Sequence, residues 1–115
     1  MKIEKLTYPI PPEYLKEVFV KATPEFELQF GSVFLKKGTQ IPEKDWTRHN
    51  QVKIVYIVSG KTMLFTEKDS DFKQLVQGGD TFMVEKHEAH RGEILEDTQL
   101  IFVLFGKKEQ INKKL

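Results

Sequence analysis

The strongest constraint in this sequence is its hydrophobic period. From Phe26 onward apolar residues recur at every second position, in short segments ended by glycine or by acidic and small polar residues. A period of two sends alternate side chains to opposite faces of an extended backbone, so such segments are strands. They span 26–36, 51–59, 61–67, 72–76, 81–85, 92–95 and 99–105. Between them lie Lys37-Gly38, Ser59-Gly60, Lys68-Asp69-Ser70-Asp71, Gly78-Gly79-Asp80, His90-Arg91-Gly92 and Glu96-Asp97, which tolerate turn dihedrals or cap their own backbone. Ser59-Gly60 and the Asp-Ser-Asp cluster read as hairpins. Seven short strands predict an all-β domain, a sandwich or barrel.

The first 25 residues follow another pattern. Pro9, Pro11, Pro12 and Pro24 interrupt regular structure. Glu13 to Val20 fits a short helix with Pro12 in its first turn, and Val18-Phe19-Val20 fits an edge strand equally well. The chain thus divides into an N-terminal arm (1–25), a β-barrel (26–106) and a basic tail (107–115) whose Lys107, Lys108, Lys113 and Lys114 read as solvated. Two segments, 51–59 and 99–105, are apolar on both faces. A barrel interior covers one face only, so the arm or a second subunit must cover the other, and a homodimer is expected.

Composition narrows the partners. At 115 residues with 39% hydrophobic content, the chain can bury a single core without staples. Eighteen basic and 17 acidic residues leave a net charge of +1, which argues against nucleic acid or anionic membrane as partner. The absence of cysteine excludes disulfide scaffolds, thiol catalysis and thiolate metal sites. No stretch resembles a signal peptide, and the longest apolar run, Leu100 to Phe105, is too short to span a bilayer. A cytoplasmic protein is the expectation.

Two segments carry chemistry. The first runs from Gly38 through Trp46, Thr47, His49, Gln51, Lys53 and Tyr56 to Gly60; the second runs from Gly79-Asp80 through Glu85 and His87 to His90. Together they resemble the cupin superfamily, small antiparallel jelly rolls around a central pocket, over roughly residues 26 to 105. In the first cupin motif a glycine precedes His-x-His, a glutamate follows four residues after the second histidine, and a glycine seven residues later. Anchored on Gly60, those ligand positions hold Thr47, His49 and Lys53. In the second motif His90 takes the histidine position, while Glu85 and His87 stand where proline and glycine are usual. The resemblance implies a jelly roll and a pocket, with one of three first-motif ligands kept.

Strand parity puts Thr47, His49, Gln51, Lys53, Val55 and Ile57 on one face, and a neighbouring strand beginning near His90 can add a second imidazole. Lys53 where a carboxylate would offset an ion's charge opposes a divalent cation, so any iron, manganese, nickel or zinc is expected to bind weakly, through His49 and His90. The candidate ligand-binding set is Lys53, His49, Thr47, Trp46, Gln51, Tyr56 and His90, with Arg91 a further cation and Trp46 at the mouth. Plainer roles compete. His49 fits a hydrogen-bonded wall residue, His90 a turn residue, His87 a solvated loop, and Lys53 can snorkel to the rim. Three functions follow: a cupin-like binding protein for a small anionic molecule, a metal-dependent isomerase, oxygenase or lyase, and a structural dimer module.

Overall fold

The computed structural model describes residues 1–12, 15–41, 46, 50–67 and 71–107. Its strands are β1 (Leu15–Ala22), β2 (Phe26–Leu35), β3 (Gln40–Ile41), β4 (Gln51–Thr66), β5 (Lys73–Gln77), β6 (Thr81–Val84) and β7 (His90–Lys107). Every pairing is antiparallel. Among the described residues there is no helix. The helical reading of the arm therefore gives way to the strand reading, and β1 pairs with β2 over Leu15↔Val33 to Ala22↔Glu27.

Two pairs of the expected strands, 51–59 with 61–67 and 92–95 with 99–105, are single longer strands, and three of the expected turns, Ser59-Gly60, His90-Arg91-Gly92 and Glu96-Asp97, lie within them. Ser59-Gly60 does not reverse the chain. β4 runs on to Thr66, with irregular register against β7 at Ile57, Ser59, Lys61 and Thr62. Glu96-Asp97 likewise lies within β7. An extra residue in one strand of a pair sharpens twist and bends the ribbon without ending it, and glycine at positive φ suits such a site. Gly60 has φ +98°. A Cβ there would fall on the Asp97 carbonyl oxygen and 2.6 Å from the Thr98 Cα, so the two strands approach at this bend because Gly60 has no side chain.

These bends fold one sheet into two layers. The first halves of the sequence pairings, Gln51 to Ser59 with Gln99 to Gly106, belong to a layer ordered β1-β2-β7-β4-β6. Beyond the bend, β4 and β7 continue into a second layer, where β3 flanks β7 and β5 flanks β4. Strands that pass between sheets through bulges make the corners of such sandwiches. β5 and β6 pair only with β4, so the layers fold over one another without closing.

The core fills the space between the layers. Val33, Val55, Ile57, Phe102 and Leu104 come from the first layer and Val76 from the second. On the outer side of the first layer, Leu28, Ile54, Tyr56 and Met83 are exposed. The opposite end of that face is partly covered by the arm: Ile10 is buried, and its N–H donates to the Gln99 side-chain carbonyl. The Gln99 amide in turn donates to Ser59 Oγ at 3.0 Å.

Candidate functional site

Lys53 anchors the site. It sits near the start of β4, paired with Leu104 on β7 and with Val84 at the end of β6, and its parity turns it inward with Val55 and Ile57. It is 8% exposed. Burial disfavours the charged ammonium and lowers its pKa from the ordinary 10.5 to about 8. No described carboxylate lies within ion-pair distance of it; the surface pair Lys61–Glu96, 3.6 Å apart, is elsewhere.

The ammonium-bearing side chain lines an interior cavity of about 60 Å³. Its far wall comes from the second layer: Thr62, Leu64, Ile94, Gly92 and His90. Parity carried straight through from Lys53 would have turned Met63 inward. The bulge at Ser59–Lys61 shifts the alternation by one, so Thr62 and Leu64 point in instead. Those wall residues were missed by sequence reasoning, and the one available signal was Gly60 itself, read as a turn.

His90 opens β7 opposite Thr66 and reaches the same cavity. Its Nδ1 is 3.0 Å from the Glu88 carbonyl oxygen. A carbonyl only accepts, so Nδ1 carries a proton, and this contact fixes the ring on the strand. Gln51, two residues before Lys53 on the same face, is buried; its Nε2 donates to the Lys107 carbonyl at 2.9 Å, while its Oε1 has no hydrogen-bond partner. Thr47 and His49 lie outside the described residues.

Two expected members stand elsewhere. Tyr56 has the opposite parity to Lys53 and is 43% exposed on the outer face, so it is not part of the cavity wall. Trp46 does not line the cavity: its ring stacks on the Arg91 guanidinium, 5.4 Å from the ring centroid, and Phe65 packs on Arg91 at 4.8 Å. Arg91 neighbours His90 in sequence and therefore faces the other side of β7, across from Phe65. The stack holds its cation away from Lys53. His87, exposed in a turn at φ 63°, is solvated as expected.

Of the two expected metal ligands, His90 is described and His49 lies outside the described residues. Among the described residues no three histidine, aspartate or glutamate side chains gather in one place. Inside the cavity the buried charge is the ammonium of Lys53, which repels a metal ion where a carboxylate would attract one.

Two antiparallel layers joined by shared, bent strands around an interior cavity define a jelly roll. More specifically, the chain has the cupin fold. It is similar to an RmlC-like cupin with a double-stranded β-helix fold from Methanocaldococcus jannaschii, at 14% identity and TM-score 0.66, over 93% of this chain and 90% of that one. It is also similar to KdgF from Halomonas sp., at 25% identity and TM-score 0.61, over 83% and 80% of the two chains. Ectoine synthase from P. lautus aligns with TM-score 0.55 and 15% identity, over 74% of this chain and 67% of that one. The sequence matches no family profile and no curated protein.

Proposed function

We propose that this chain is a small-molecule binding protein of cupin fold whose interior cavity receives an anionic ligand through Lys53. The observation that carries the reading is a buried lysine, 8% exposed, lining a cavity with no described carboxylate beside it. Holding an ammonium out of water is costly unless something compensates. An anion entering the cavity restores the lost solvation and gains a charge-assisted hydrogen bond, on the order of 1.5–3 kcal/mol, or roughly ten- to a hundredfold in affinity. His90 lines the same cavity as Lys53 and is a polar wall residue at hand for orientation, whereas Gln51 does not line it and its Oε1 can only accept a hydrogen bond. Thr47 and His49 remain in the proposed set through their sequence positions alone.

The exposed apolar face of Leu28, Ile54, Tyr56 and Met83 is proposed to meet a second copy of the chain. No helix is long and apolar enough to cross a membrane among the described residues, and the chain has no cysteine, which suits the reducing cytoplasm where we place its action. A thermal-shift screen of small carboxylates and phosphates against size-matched neutral analogues tests the function. The expected result is stabilisation by acids in the wild type that is lost in Lys53→Met. Equal response to acids and neutral analogues overturns the proposal.

A further inference from the structure

We propose that the ligand is an amphipathic acid, its anionic head in the Lys53 cavity and an apolar body lying in the open groove between edge strands β5 and β6. The proposal rests on the reading of Lys53 as the group that receives the anion, and it adds the chemistry of the rest of the molecule. The cavity has about 60 Å³, a space suited to a small head group such as a carboxylate. Next to it lies a groove of about 820 Å³, a size that suits a small organic molecule. The two spaces share Leu64, Phe82 and His90 as walls. Lys53 and Val84, cross-strand partners on β4 and β6, stand one in each.

The groove's chemistry decides what can lie there. Phe72, Leu75, Val76 and Phe82 make it apolar. Its two carboxylates are occupied by local backbone: Asp80 Oδ2 accepts from the Gln77 N–H at 2.9 Å, and Glu88 Oε1 from the Glu85 N–H at 3.1 Å. They close the turns on either side of β6, so the floor between them favours hydrocarbon. Phe72 and Leu75 are 39% and 38% exposed. Apolar surface at the edge of a sheet, sharing three walls with a cavity that holds a buried cation, is the pattern that a carboxylate with a hydrocarbon tail completes.

The test is a calorimetric series of straight-chain acids, acetate, butanoate, hexanoate and octanoate, beside the matching primary amides, on the wild type and on Phe72→Ser/Leu75→Ser. Both side chains are half out in solvent, so the double variant is expected to fold; circular dichroism checks this, and Leu75→Thr serves if it does not. In the wild type each added methylene is expected to tighten binding by about fourfold, with acids ahead of amides throughout. In the groove variant the chain-length gain flattens while the preference for butanoate over butanamide stays. A flat series in the wild type with acids still preferred overturns the groove and leaves the Lys53 reading standing. A chain-length gain unchanged in the variant overturns it too. Acids and amides that bind alike overturn the reading of Lys53 itself.

Discussion

A lysine that strand parity turns inward loses the water around its ammonium, and Lys53 shows the energetic result. In the unfolded chain its ammonium keeps its proton to about pH 10.5, and in the folded chain only to about pH 8. Between those values the unfolded state binds more protons, so stability rises with pH across that window. Below pH 8 the folded chain carries the full cost of the buried charge, about 3 kcal/mol when the lowered pKa is converted to free energy. Replacing the ammonium with a methyl-ended chain of similar length removes that cost. Lys53→Met is therefore expected to be more stable than the wild type in urea at pH 7, by up to about 3 kcal/mol, with the gap closing by pH 10. A gap that stays constant with pH would mean the ammonium is hydrated in the folded protein.

At the scale of elements, the bends in β4 and β7 make one sheet into two layers, and Gly60 is where the prediction is sharpest. Gly60→Ala places a methyl group against the Asp97 carbonyl and Thr98, on a backbone at φ +98°. The variant is expected to lose at least about 2 kcal/mol in a denaturant titration, from φ strain combined with displacement of β7. A wild-type midpoint would show that the corner relaxes freely. These bends also mark where the sequence stops being legible. β2, β5 and β6 were readable to within a residue or so, because alternation along one strand is a local signal. Whether Ser59-Gly60 reverses a chain or bends it depends on what the strand pairs with afterwards, here Glu96 and Ile94 on β7. Both outcomes use the same residues. The inward turn of Lys53 was legible for the same local reason as β2. The far wall was not, since the bulge changes parity beyond it, and the Trp46–Arg91–Phe65 stack needs a cross-strand neighbour that no spacing reveals. The arm was ambiguous because Val18-Phe19-Val20 can serve a helix or an edge, and the register with β2 decides.

For the whole molecule the outer face of the first layer sets the expectation. The arm buries Ile10 at one end, while Leu28, Ile54, Tyr56 and Met83 stay exposed across β2, β4 and β6 at the other. Such a face on a 13.5 kDa chain is expected to pair with its own copy, giving a dimer of about twice that mass in light scattering at micromolar concentration. Ile54→Lys/Tyr56→Lys is expected to shift it to monomer. A wild-type monomer under those conditions would leave the face without the partner proposed for it.

The role of the Lys53 cation held inside this β sandwich is tested most directly by the affinity for a small carboxylate, measured by calorimetry as a function of pH. Lys53 is charged below about pH 8 and neutral above it. Affinity is expected to be level at pH 6 to 7 and to fall about tenfold per pH unit above pH 8, a fall absent from Lys53→Met, whose affinity is already low. Affinity that is independent of pH from 6 to 10, or unchanged by Lys53→Met, would contradict the account.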